Sequence, residues 1–332
     1  MERLTPKRAM APCQQRPIFV IGCVRSGTTL LRAMLNAHPN IAIPYEAHTF
    51  SRIISTKAPW SHRWSRAEVM VPIEEFLGHP AVQFWKLEQN RVVAELAPAA
   101  SYGYREIVQA VYSAYAKREG KVRWGDKTPG NVFEMRPVSR AFPDAQFVHI
   151  TRDGRDVYLS LQTVIRSGES WAVPWNTARA AAKKWAWRER CAYQTGERLG
   201  PERYHRLRYE ALAQDPATVL REVCRFLEET FDERMLEYYK TEGLVPAHGA
   251  TRKHRLLSRP PEPSRISRWK REMAPADVQV FERLAGPTLV KYGYDVSPPM
   301  RRRARARLAT QAVKQRVKNL LAAGHKEPAC QP

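Results

Sequence analysis

Neither a metal-binding cysteine pattern nor a membrane-length apolar run occurs in these 332 residues. The five cysteines (Cys13, Cys23, Cys191, Cys224 and Cys330) are scattered. They form no C-x-x-C pair and keep no zinc spacing with histidine, so no metal is expected, and reduced thiols in a cytoplasmic setting are. No apolar stretch approaches the roughly 20 residues that a spanning helix needs. Met1 to Pro17 mixes charges with three prolines and has no apolar core of signal-peptide length, so export is not expected. Acidic residues are scarce too: 33 Asp and Glu face 55 Lys and Arg, a formal charge of +22. A surplus of that size attracts nucleic acid, anionic membrane or phosphorylated small molecules, and does not choose among them.

What is present begins with the uneven spread of that charge. The segment 299–332 carries nine Lys and Arg against Glu327 alone, with Leu308, Val313, Val317, Leu320 and Leu321 as an apolar stripe on an expected helix. Peripheral contact with anionic lipid is one use of such a tail, and a solvated basic helix is the other. Upstream, short β-branched runs alternate with helical patterns. Strands are expected at Ile18–Ile21, Ile41–Ile43, Val122–Trp124, Ala145–Thr151 and Tyr204–Arg208. Helices are expected near 29–37, 92–118, 131–141, 156–165, 176–198 and 276–292. Such alternation predicts an α/β fold: a P-loop-type central parallel sheet flanked by helices, with ligand loops at the carboxyl ends of its strands. Residues 1–16 are expected to be a disordered N-terminal segment and 17–298 one main domain. Within it, 51–121 reads as a variable, largely helical insertion on the substrate side, and 241–273 as a long Pro/Arg-rich loop. The basic C-terminal helix follows from 299.

Gly22-Cys23-Val24-Arg25-Ser26-Gly27-Thr28-Thr29 follows the first expected strand and opens a helix, the context in which G-x-x-x-x-G cradles phosphate. Backbone N–H groups and the helix N-terminus supply the attraction. A nucleotide triphosphatase needs Lys after the second glycine for the β- and γ-phosphates, and here Thr28 stands in its place. The loop therefore suits a nucleotide with a single 5′-phosphate. Arg25, inside the loop, offers a planar fork to sulfonate or phosphate oxygens. A second segment, Phe147 to Leu161, reads as strand, turn with Arg152, and helix with Ser160. A capped helix with Asp153 or Asp156 at its start and Arg155 in solvent is the plainer reading of the same residues.

The stretch PIFVIGCVRSGTTLLRAMLNAHP (17–39) closely resembles the 5′-phosphosulfate-binding segment of sulfotransferases that use 3′-phosphoadenosine 5′-phosphosulfate (PAPS), in the branch of tyrosylprotein and bacterial carbohydrate or small-molecule enzymes. Val24 departs from the usual Pro, whereas Arg25, Ser26, Gly27, Thr28 and Thr29 match. FVHITRDGRDVYLSL (147–161) resembles the 3′-phosphate segment of that family. By resemblance, Arg152 and Ser160 hold the 3′-phosphate, Tyr209 lies near the adenine, and Ser267, Arg268 and Lys270 close over the nucleotide. Glu46 matches the family's catalytic base, with His48 as runner-up on its ordinary pKa of about 6.5. Lys127, in Gly-Asp-Lys-Thr-Pro (125–129), resembles the lysine that contacts the leaving phosphate and sulfuryl oxygens. The resemblance implies in-line sulfuryl transfer from PAPS to an acceptor hydroxyl on a carbohydrate, a small molecule or a protein tyrosine, with no metal and no specific nucleic acid partner. A P-loop kinase-like phosphotransferase and a basic nucleic-acid- or membrane-binding protein are the rival readings.

Overall fold

Four consecutive apolar residues with no polar face can persist only where both sides of a sheet are covered. Strand β1 (Ile18–Ile21) meets that condition, with every residue fully buried. The computed structural model describes residues 16–47, 61–241 and 257–323, with side chains described as far as 313. Five parallel strands form the central sheet in the order β2-β5-β1-β6-β7. They are β1, β2 (Ile41–Ala42), β5 (Arg123–Lys127), β6 (Gln146–Thr151) and β7 (Tyr204–Arg208). Strand β1 pairs with β5 on one side (Phe19 opposite Asp126) and with β6 on the other (Phe19 opposite Phe147). The chain leaves β1 toward one edge, for β2, and later fills the other edge with β6 and β7, so β1 lies at the switch point where such sheets bind ligands. This is the expected α/β architecture with a parallel sheet flanked by helices.

The chain divides by contacts into two compact units, Met1–Arg152 with Cys191–Pro263, and Asp153–Arg190 with Ser264–Pro332. In the first unit, helix α1 (Thr28–Asn36) follows β1, and α5 (Tyr104–Arg118) and α6 (Met135–Ala141) flank β5. Helices α9 (Tyr209–Gln214) and α10 (Pro216–Leu227) follow β7. Aromatic rings fill the core: Phe19 stacks on Phe147 at 5.3 Å between centroids and meets Trp124 edge-on at 5.9 Å, while Tyr112 of α5 lies 4.9 Å from Trp124. Contacts of this geometry add about 0.5–1.5 kcal/mol each beyond area burial.

Two local expectations change. The helix expected near 92–118 begins only at Tyr104, and a short strand at 101–103 precedes it. Helices α2 (Met70–Gly78), α3 (Pro80–Gln83) and α4 (Gln89–Val93) are joined by an antiparallel pair, β3 (Arg63–Ser65) with β4 (Ser101–Gly103). A pairing between strands so far apart in sequence leaves no local periodicity to read. Strand β5, expected over Val122–Trp124, runs on through Gly125, Asp126 and Lys127, because these three residues pair with Ile18, Phe19 and Val20 of β1. Gly125 permits this close packing, since a Cβ there would stand 2.7 Å from the Ile18 carbonyl oxygen.

The second unit contains α7 (Gly154–Arg166), most of α8 (Ala178–Leu199), α11 (Trp269–Glu272), α12 (Pro275–Lys291) and α13 (Pro298–Ala323). Helix α13 rests on α12 where Ala304, almost fully buried, packs on Gly286. The expected basic helix is therefore anchored at its start. Among the described residues, no helix is long and apolar enough to cross a membrane.

Candidate functional site

Each candidate residue of the first unit sits at the carboxyl end of a parallel strand. The loop 22–27 leaves β1, where the Ser26 N–H donates to the Cys23 carbonyl at 3.1 Å and tightens the turn. Arg25 (φ 65°) and Gly27 (φ 95°) both occupy left-handed backbone space. Gly27 has no substitute: a Cβ would lie 2.6 Å from Tyr209 Cδ2. Helix α1 starts without a side-chain cap, so its first amide groups remain available to an anion, as such helix ends require. Ser26 is fully buried, and its Oγ has no hydrogen-bond partner among the described residues. An orphaned hydroxyl beside an uncapped helix start fits a phosphate whose oxygens would complete both.

Lys127, at the end of β5, has no exposed surface. Its Nζ donates to Glu46 Oε2 at 2.8 Å and lies 3.4 Å from Thr29 Oγ1, on the first turn of α1. The ammonium also stands 5.7 Å from the centre of the Tyr45 ring. Burial pulls its pKa below the ordinary lysine value, and the charge of Glu46 opposes that shift. Glu46 follows β2, the strand beside β5, and keeps about a quarter of its side chain exposed. Glu46 is thus both held by Lys127 and reachable from solvent. The backbone of its neighbour Tyr45 is fixed by Trp85, whose indole N–H donates to the Tyr45 carbonyl at 3.0 Å.

Arg152, at the end of β6, is nearly buried. Its guanidinium lies 4.4 Å from the centre of the Tyr209 ring, and Nη1 donates to the Arg25 carbonyl at 3.3 Å. Tyr209 opens α9 directly after β7. Arg25, Ser26, Gly27, Thr28, Thr29, Glu46, Lys127, Arg152 and Tyr209 thus share the first unit.

The remaining candidates belong to the second unit. Ser160 lies on the buried face of α7. Ser267 adopts φ 56° and its carbonyl accepts from Lys270 N at 3.1 Å, while Arg268 pairs with Glu272 at 2.5 Å. Asp153 caps α7, accepting from Arg155 N at 2.9 Å, so the capped-helix reading is right in that respect. Arg155, however, is fully buried rather than solvated. It holds Asp153 through two bonds (3.0 and 2.7 Å), Glu282 at 2.7 Å and the Asp295 carbonyl at 2.6 Å. Trp269 lies flat against it at 3.5 Å, and the Trp269 N–H donates to Asp156 Oδ1 at 2.9 Å. His48 lies outside the described residues.

Two groups near Lys127 escape a reading of the sequence. Asp126 is buried, accepting from Tyr112 Oη at 2.8 Å and Asn131 Nδ2 at 2.5 Å. Burial pushes its pKa up to about 6, against the lowering effect of the Tyr112 bond. Arg32, on α1, is buried with Nη1 donating to the Ile43 carbonyl at 3.2 Å. Desolvation lowers its pKa, and the charges of Tyr115 and Glu46 work the other way. The interruption of an apolar helix face by Arg32 was the available signal. Asp126 had none beyond its place beside Lys127.

A family model described as "Sulfotransferase family" matches residues 17–233. Among curated proteins, the protein-tyrosine sulfotransferase of Drosophila melanogaster is 27% identical over 288 residues, covering 85% of this chain and 52% of the fly protein. Protein-tyrosine sulfotransferase A of Caenorhabditis elegans is 24% identical over 85% of this chain and 68% of that protein. The chain thus spans about half the length of the fly relative. Among solved structures, the sulfotransferase domain from the curacin biosynthetic pathway has a TM-score of 0.58 at 20% identity, covering 85% of this chain and 99% of that one. The sulfotransferase domain of the Synechococcus PCC 7002 olefin synthase has a TM-score of 0.56 at 22% identity, covering 88% and 100%. The structural likenesses are likenesses of fold.

Proposed function

Because the chain belongs to the sulfotransferase family, we propose that it moves the sulfuryl group of PAPS to an acceptor hydroxyl, with Glu46 as the base. The observation that carries this reading is the contact of Lys127 with both Glu46 (2.8 Å) and Thr29 (3.4 Å). It ties a base, a cation and the phosphate loop together at the ends of three adjacent strands.

PAPS would supply the sulfuryl group and leave as adenosine 3′,5′-bisphosphate. The acceptor oxygen forms a bond to sulfur as the bond from sulfur to the phosphate oxygen breaks, and the acceptor proton passes to a Glu46 oxygen. Pairing with Lys127 fixes the Glu46 carboxylate in place for the acceptor. Lys127 has three N–H groups and, among the described residues, two protein acceptors, which leaves one donor for a substrate oxygen where charge develops. Ser26, Thr28, Thr29 and the start of α1 hold the 5′-phosphate, while Arg25 offers its guanidinium to the sulfuryl oxygens. Arg152, braced on Tyr209, meets the 3′-phosphate, and Ser160, Ser267, Arg268 and Lys270 are the nucleotide-contact candidates of the second unit. Two of the curated relatives are named for protein tyrosine, so a tyrosine hydroxyl is the first acceptor to test, ahead of sugar and small-molecule hydroxyls.

The test replaces Glu46 by Gln. Turnover of labelled PAPS is expected to fall by about 10²–10⁴-fold, while calorimetric affinity for adenosine 3′,5′-bisphosphate stays within about threefold, a change under 1 kcal/mol. Unchanged turnover removes Glu46 from the mechanism. Tighter binding of ATP with magnesium than of the bisphosphate would favour a phosphotransferase instead.

A further inference from the structure

A second cavity in the first unit has no part in that chemistry. It has a volume of about 490 Å³ and is walled by β3, the start of α5 and one face of α6, within the roughly 300–1,000 Å³ range of small-molecule sites. Three arginines line it (Arg63, Arg105 and Arg140) against a single carboxylate, Glu106. That carboxylate is already engaged, because its Oε2 accepts from the Gly103 N–H at 2.8 Å in the capping box of α5. Arg63 is held in place by Ser101, donating to its Oγ at 2.8 Å and its carbonyl at 2.6 Å, and lies 4.0 Å from Glu106. Arg105 and Arg140 make no ion pair or side-chain hydrogen bond among the described residues.

The wall behind these cations is stiff. His62 meets Trp64 edge-on at 4.5 Å, and Trp64 meets Tyr104 at 4.9 Å, so β3 packs on the first turn of α5 through three rings. A rigid cleft with two uncommitted guanidinium forks matches the planar, two-point recognition of carboxylate, sulfate or phosphate. Its volume admits a molecule of monosaccharide size. We infer that this cleft is a binding site for a small molecule bearing an oxyanion, held by Arg105 and Arg140 with Arg63 as a fixed third cation.

The anion can be free in solution or carried on a sugar, and titration separates the two. The Nε–Hε signals of Arg105 and Arg140, assigned from R105K and R140K, are followed by nitrogen-15 NMR as inorganic sulfate, galactose 6-sulfate or galactose is added. Saturable shifts of both signals with either sulfate compound are expected, and none with galactose. A lower half-point for galactose 6-sulfate than for sulfate assigns the site to a sugar-borne group, and equal half-points assign it to the free ion. In R105Q/R140Q, whose exposed positions leave the melting temperature unchanged, the shift of the Arg63 signal should need at least tenfold more ligand. Signals that move no more than those of the exposed arginines of α13, or without saturation, overturn the assignment. The cleft shares no residue with the loop 22–29, so its failure would leave the sulfuryl-transfer reading intact.

Discussion

Among the described residues, Lys127 and Arg155 are the two cations with no exposed surface, and they are satisfied in different ways. Arg155 spends its donors on two carboxylates and a carbonyl, with Trp269 against its face. Lys127 has one carboxylate, itself a quarter exposed, and a distant hydroxyl. A buried charge whose carboxylate partners are buried with it holds structure together. A buried charge whose carboxylate solvent can reach suits a partner that arrives later.

Three substitutions sharpen or break that contrast. Arg155→Met leaves Asp153 and Glu282 buried without their cation and is expected to cost about 3–5 kcal/mol in chemical denaturation. Should the variant fail to accumulate, Arg155→Lys, which keeps the charge but not the fork, should show a smaller loss. A loss under about 1 kcal/mol, the scale of an exposed pair, would mean that the network is not structural. Lys127→Met, similar in volume, should lower turnover by about 10²–10³-fold. Its stability should stay within about 1 kcal/mol, because Glu46 can turn to water once its partner is gone.

The smallest effect concerns the carboxyl next to Lys127. The folded pKa of Asp126 is raised from 3.8 to about 6, so the folded state binds this proton more tightly than the unfolded chain does. Its contribution is therefore greatest below pH 4 and declines as pH rises to about 6, by on the order of 1–3 kcal/mol. Asp126→Asn should remove that slope, and the gap between the two proteins in denaturation midpoint should change between pH 4 and 7. A gap independent of pH would show that Asp126 is ionised throughout.

The same contrast marks what a reader of the sequence alone can see. The loop 22–29 was legible because everything it needs is contiguous: an apolar strand, glycines at two positions and a helix start. Arg152 and Ser160 were singled out only through resemblance to a family segment. Arg155 read locally as a solvated residue of a capped turn, and its burial depends on Glu282 and Asp295, 127 and 140 positions away. The β3–β4 pair and the cleft beside it were invisible for a similar reason, since Arg63 faces Gly103 across a separation of 40 positions.

The order of residues by itself determined the parallel α/β sheet, the step from strand through glycine loop to helix without a lysine after the second glycine, and the surplus of positive charge, because hydrophobic period and glycine placement act over a few neighbours. Only the tertiary structure decided that Lys127 meets Glu46 across 81 positions and that two arginines face an open cleft. Those facts follow from which strands and helices lie side by side, and that adjacency is set by burial of the whole core.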